Sequence, residues 1–117
     1  MRDEPAGDYA VIDQQLKPVF QALRAGMSRL YGDRLNRLIL YGSRARGDAA
    51  PSSDIDVLVV LRGPVEPMRE IEFTGDLITG IFFDYEQIVS CVFIAADKYE
   101  SEGGPFLRNV RREGIPF

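Results

Sequence analysis

Residues 38–61 read LILYGSRARGDAAPSSDIDVLVVL, and the rest of the chain falls into place around them. Leu38–Tyr41 is a short, continuous apolar run and Ile55–Leu61 is nearly all β-branched or Leu, the pattern of strands buried on both faces. Between them Gly42-Ser43 opens a turn and residues 44–53 form a basic, polar excursion. Side chains alternate along a strand, so Asp54 and Asp56 share one face, which Leu58 and Val60 continue inward, while Ile55 and Val57 turn to the other. The two carboxylates stand at the leading end of a buried strand, where sheet meets solvent.

Towards the N-terminus, Ile12, Leu16, Val19, Phe20, Leu23, Met27 and Leu30 recur at helical spacing over residues 8–31. Pro18 predicts either a kink or a fresh helix starting near Lys17. Residues 1–7 read as a loose, flexible arm ahead of a single domain spanning 8–117. Beyond the second strand, Arg62-Gly63-Pro64 breaks the chain and Pro67 suits a first helical position. Ile71, Ile78, Ile81, Phe82 and Tyr85, widened by Phe73 and Leu77, predict the core stripe of a helix reaching about Tyr85, weakened by Gly75 and Gly80. Ile88–Ile94 predicts a third strand. Gly103-Gly104-Pro105 opens a closing helix with Arg111 and Arg112 in its last turn and Gly114 as its cap. This order predicts an α/β (α+β) fold: a small mixed sheet of three to four strands flanked by helices.

Composition narrows the function. A chain of 117 residues with 45% hydrophobic content supports one packed core without covalent staples. The N-terminal MRDEPAGD is acidic and lacks the apolar core of a secretory signal. Val57–Leu61 is far too short to span a bilayer. Cys91 stands alone, so no intramolecular disulfide forms, and a cytoplasmic setting is expected. The net charge of −4 argues against broad nucleic-acid binding, although Arg34, Arg37, Arg44 and Arg46 crowd the Gly-Ser turn in the sequence and Arg108, Arg111 and Arg112 cluster near its end. Histidine is absent, which removes His-based zinc sites, Ser-His-Asp triads and His general bases.

Asp54 and Asp56 repel each other, and burying them unpaired is costly. A divalent cation answers both problems, and Mg²⁺ prefers carboxylate oxygens combined with substrate phosphates. Two such ions roughly 3.5–4 Å apart form the clamp used in phosphoryl and nucleotidyl transfer. Alone, Asp-x-Asp reads first as a polar strand start capped by surface aspartates. Gly42-Ser43 permits close approach of a phosphate to backbone N–H groups, with the hydroxyl as a further donor; alone, it reads first as an ordinary strand-to-helix turn with Ser43 as N-cap. Ten residues separate Ser43 from Asp54. The combination Gly-Ser-x10-Asp-x-Asp sets a phosphate cradle against a metal site, with Arg44 and Arg46 adding positive charge beside them.

The segment LYGSRARGDAAPSSDIDVLVV resembles the signature of the minimal nucleotidyltransferases, small members of the DNA polymerase β-like superfamily. Gly42, Ser43, Ala45, Arg46, Gly47, Ser53, Asp54, Ile55 and Asp56 match the pattern Gly-Ser-x-Ala-Arg-Gly, spacer, Ser-Asp-Ile-Asp. The closing PFLRNVRREGIPF resembles the end of a bacterial branch of that family. The resemblance implies a polymerase β-like fold and transfer of a nucleoside monophosphate, AMP from ATP or that of another nucleoside triphosphate, to a hydroxyl acceptor. It assigns Asp54 and Asp56 to Mg²⁺ and catalysis, and Gly42 and Ser43, with Arg46 and Ser53, to the nucleotide. It also implies a third carboxylate from the next strand. That strand holds no acid: Glu86 or Asp84 precedes it, and Ser90 occupies its interior. The implied partner is a helical HEPN-type toxin or a homodimer mate supplying the acceptor surface, with no role for a membrane or nucleic acid. A transferase-like antitoxin that masks its partner without modifying it is the rival reading.

Overall fold

The computed structural model describes residues 13–117. The predicted arm and the beginning of the predicted 8–31 helix lie outside the described residues. Helix α1 covers Lys17–Tyr31 with Pro18 in its first turn, so Pro18 starts a helix, where its missing N–H costs nothing. A 3₁₀ turn at Gln14–Leu16 precedes it. Strand β1 follows at Leu35–Tyr41, the short helix α2 at Ser43–Arg46, and strand β2 at Ile55–Leu61. Helix α3 runs over Pro67–Tyr85, unbroken by Gly75 and Gly80, and strand β3 over Val89–Ala95. Helices α4 (Ala96–Ser101) and α5 (Pro105–Glu113) lead to strand β4 at Ile115–Pro116. Gly104 N-caps α5 and Gly114 C-caps it.

The four strands form one mixed sheet in the order β3-β2-β1-β4. β1 is antiparallel to both β2 and β4, while β2 and β3 are parallel, a pairing that requires the crossover supplied by α3. β2 is central, and its residues from Val57 to Leu61 are fully buried. Leu38, Leu40, Ile55, Val57, Val59, Val89 and Phe93 pack beneath α1 and α3 with Phe20, Leu23, Met27 and Phe117. Ile39, Leu58 and Val60 face the other way, onto Leu107 and Val110 of α5. Among the described residues no helix is long and apolar enough to cross a membrane.

Two expectations need correcting. Arg34 and Arg37 are not near the Gly-Ser turn: they lie at the opposite end of β1, at a strand rise of about 3.3 Å per residue. There Arg34 donates to the carbonyls of Arg62 and Pro64 at 3.0 and 2.6 Å, and Arg37 pairs with Glu100. The predicted core stripe of α3 is also largely wrong. Of its named residues only Ile81 is fully buried; Leu77 and Ile78 are partly buried, while Ile71, Phe73, Phe82 and Tyr85 are exposed. The helix turns Glu70 and Thr74 inward instead. The physical reason is a polar clasp: the Tyr31 hydroxyl donates to Glu70 Oε1 at 2.8 Å, and Thr74 Oγ1 donates to the Glu70 carbonyl at 2.9 Å. Burial, then this hydrogen bond, raises the Tyr31 pKa. Leu77 also sets the rotation, because it packs so closely on α1 that a Cβ at Gly26 would lie 2.3 Å from its Cδ1.

Tyr31→Phe leaves a buried carboxylate short of a donor, and urea denaturation should register a loss of about 1–3 kcal/mol. Adding Glu70→Met should recover most of that loss, since an apolar pair needs no hydrogen bond.

Candidate active site

β1 and β2 pair with Tyr41 opposite Asp56, and β2 and β3 pair with Asp56 opposite Ser90. Tyr41, Asp56 and Ser90 therefore form one row across the sheet, on the α5 side. Directly after Tyr41 the chain must leave the sheet at Gly42. Its φ is 78°, in the region that side-chain-bearing residues avoid. A Cβ at this position would lie 2.5 Å from Asp56 Oδ2. The glycine turn and the acidic strand end are thus packed against each other, with the carboxylate occupying the space a side chain would need.

Gly42 is also the N-cap of α2. Its carbonyl accepts from the Ala45 and Arg46 N–H groups, both at 3.1 Å, so Ser43 and Arg44 hold the N–H groups at the start of the turn that have no intrahelical acceptor. Gly47 closes the turn in the left-handed region at φ 84°. Arg44 does not reach outward as a free cation: its Nη2 donates to the carbonyls of Pro51 and Ser53 at 3.1 and 2.9 Å. Ser53 is likewise engaged in the loop, its Oγ accepting from Ala50 N–H at 3.0 Å. Arg46 is exposed and forms ion pairs with Asp48 at 3.2 Å and Glu113 of α5 at 3.5 Å. The excursion predicted as a basic loop is therefore a stitched one, fixed by its own arginines.

Asp54 is exposed just before β2, and Asp56 is partly buried. Burial, and secondly the charge of Asp54, raise the Asp56 pKa. The same burial, with Asp56 next, raises that of Tyr41, whose ring meets Phe106 of α5 edge to face at 5.3 Å. Two carboxylates held close, one resisting ionisation, fit a divalent cation, which stabilises both charged forms. Among the described residues no cluster of three or more acidic, Cys or His side chains arranged to hold a metal occurs. Glu86 stands at the α3 C-cap with φ 58°, and both it and Asp84 are exposed; neither joins Asp54 and Asp56 in such a cluster. The residue that β-pairing sets beside Asp56 is Ser90. In the sequence Ser90 is distinguished only by its mid-strand position. Tyr41 carries no assigned role there, although an aromatic immediately before Gly-Ser is the available signal.

A family profile described as a nucleotidyltransferase domain matches residues 21–100. The chain belongs to the nucleotidyltransferase family. A protein of Methanocaldococcus jannaschii, named as a candidate protein adenylyltransferase, is 33% identical over 85 residues, covering 72% of this chain and 79% of its own. A second from the same organism, with the same description, is 39% identical over 44 residues, 38% of this chain and 44% of its own. Among solved structures, a candidate nucleotidyltransferase from Sulfolobus solfataricus shares the fold with a TM-score of 0.61 at 19% identity, over 99% of this chain and 88% of that one. A toxin–antitoxin structure with AMP-PNP superposes with a TM-score of 0.57 at 18% identity, over 89% of this chain and 72% of that one. Members of this family take a nucleoside triphosphate as substrate and usually a divalent cation, and the paired carboxylates and glycine turn of this nucleotidyltransferase suit both.

Gly42→Ala should displace the Asp56 carboxylate and strain the turn, lowering the affinity for Mg²⁺ measured by calorimetry and lowering the melting temperature together. Asp56→Asn should separate those effects. Asp56 binds its proton more readily folded than unfolded, so metal-free stability falls as pH rises through its folded pKa. Asp56→Asn should remove that fall and melt higher than wild type at neutral pH without metal, and adding Mg²⁺ should raise the melting temperature of the wild type and not of the variant.

Proposed function

We propose that the chain moves AMP from Mg²⁺-bound ATP to a hydroxyl on a partner protein. The observation that carries this reading is the packing of Gly42 against the Asp56 carboxylate, which makes the glycine turn and the acidic strand end a single site. The relatives named for protein adenylylation support AMP as the group moved and a protein as its acceptor. The structural neighbours taken from toxin–antitoxin assemblies support a toxin as that protein, and a helical HEPN-type toxin is the partner proposed. Among the described residues, Cys91 has its thiol raised to about 12 by burial; an inert thiol of this kind suits a reducing cytoplasm.

In this reading the N–H groups of Ser43 and Arg44 and the Ser43 hydroxyl hold the β- and γ-phosphates, and Asp54 and Asp56 orient the α-phosphate. Arg44 and Ser53 keep the loop in place around them, and Arg46 flanks the phosphate tail. The acceptor oxygen bonds to the α-phosphorus, the α–β phosphoanhydride bond breaks, and pyrophosphate leaves from the glycine turn. Mg²⁺, held by Asp54 and Asp56 as one ion or two, supplies charge neutralisation on the triphosphate. Glu86, at the junction leading into β3, is the acid assigned to the acceptor's proton. Positioning and electrostatics then account for catalysis.

Ser90 favours a second reading. A hydroxyl rather than a carboxylate lies beside Asp56, which suits a module that holds nucleotide and partner while transferring slowly or not at all. Incubation with α-labelled ATP, Mg²⁺ and a HEPN-type partner discriminates. Label on the partner, lost with Asp54→Asn or Asp56→Asn and reduced with Glu86→Gln, is the expected result. Unlabelled partner that is neutralised equally by those variants would establish the masking module instead. Ser90→Asp, by adding a carboxylate to the row, should raise transfer by about 10²-fold, the lower end of what a general base contributes.

A further inference from the structure

Helix α3 carries an apolar seam on its solvent side. Met68, Ile71, Gly75, Ile78, Phe82 and Tyr85 recur at intervals of three, four, three, four and three residues. This is the 3.5-residue period of a helix packed along a single line against another helix. Met68 is 71% exposed, Ile71 50%, Phe82 45% and Tyr85 39%, with Ile78 partly buried between them. The inward contacts of the same helix come mainly from the adjacent face, through Glu70, Thr74, Leu77 and Ile81, so the fold does not require the exposed members of the seam. Beside it lies a groove of about 330 Å³ between α3 and the free edge of β3, bounded by Ile71, Gly75 and Ile78 and by Val89, Cys91 and Phe93. A continuous apolar surface of this kind, on a helix that has charged side chains available for its solvent side, is a mark of an interface.

We propose that the seam is occupied by α3 of a second copy of this chain, packed antiparallel about a two-fold axis. The spacing is palindromic, so inverting the helix about its midpoint returns the same set of positions. Met68 then meets Tyr85 of the second copy, Ile71 meets its Phe82, and Gly75 meets its Ile78. Large side chains oppose smaller ones in every layer, and the absent side chain of Gly75 leaves room for the opposing isoleucine. The charges flanking the seam agree. The same inversion sets Arg69 level with Asp84 of the second copy, Glu72 with its Ile81 and Asp76 with its Leu77, so no like charges come level beside the seam, and the arrangement is isologous as a two-fold interface requires. The interface lies on α3 alone and forms whatever the nucleotide site does.

Sedimentation equilibrium on the full chain should show a concentration-dependent doubling of the 13.1 kDa mass. Ile71→Lys and Phe82→Glu alter side chains that are half exposed in the protomer, and circular dichroism should confirm that both fold. Each alone should raise the dimer dissociation constant at least ~10-fold, as expected for a central interface position. Mixing the two variants should restore association, because the mixed dimer keeps one Ile71–Phe82 layer and sets the introduced lysine against the introduced glutamate in the other. A wild type that remains at its protomer mass, single variants that dimerise like the wild type, or a mixture that recovers nothing would each overturn the proposal. A monomer that instead binds a different protein through Ile71 and Phe82 would overturn it too, and would assign the seam to that partner.

Discussion

The space that a side chain would fill at residue 42 is taken by the Asp56 carboxylate. That contact depends on a register, and the register depends on the core. β1 and β2 pair so that Tyr41 lies opposite Asp56, and β2 is buried on both faces by α1 and α3 above and α5 below. A slip of one residue would drive Asp56 into the layer beneath α1 and α3 and turn Leu58 and Val57 to the wrong sides. The apolar packing of the sheet is therefore also what aligns the site. The glycine turn and the acidic strand end are brought together by hydrophobic burial several residues away.

The polar groups instead rigidify the loop between the strands. Arg44 ties the Pro51 and Ser53 carbonyls, Ser53 closes a turn on Ala50, and Arg46 joins the loop to α5 through Glu113. A loop organised in this way does not have to be ordered when a nucleotide arrives, which is the energetic advantage of preorganisation. The surface ion pairs of Arg46 add little stability on their own. Gly42 carries a positive φ that glycine adopts without steric cost, and at Asp56 burial and then the charge of Asp54 discourage the carboxylate from ionising. The second feature is unfavourable to the metal-free fold, and carboxylates perturbed in this way are common at functional sites.

On α3 the usual distribution of residues is inverted over part of its length. Glu70 and Thr74 are buried while Ile71, Phe82 and Tyr85 face solvent. The Tyr31–Glu70 hydrogen bond and the close approach of Leu77 to Gly26 fix the rotation of the helix, and that rotation presents an apolar seam outward. Ser90 departs from expectation in a related way. The strand position next to Asp56 carries a hydroxyl, so the sheet supplies two carboxylates to the site and any further proton acceptor must approach from outside the row.

The sequence alone determined the parts that depend on local spacing. Short apolar runs placed both central strands and put Asp54 and Asp56 at the leading end of β2. Pro18, Pro67 and Gly114 marked helix ends, because a missing N–H or a missing side chain has the same local consequence in any fold. Gly-Ser and Asp-x-Asp could be joined into one site by their motif, though neither carried the claim alone. Only the tertiary structure decided which face of α3 is buried, since the apolar positions spread around that helix offer more than one stripe and a polar clasp to Tyr31 selects among them. It also decided that Arg34 and Arg37 lie at the far end of β1 from the site, because neighbours in sequence are separated by the full rise of an extended strand. Finally, it placed Ser90 beside Asp56, since the register of two parallel strands joined by a 19-residue helix is set by packing across the whole sheet and not by any residue within either strand.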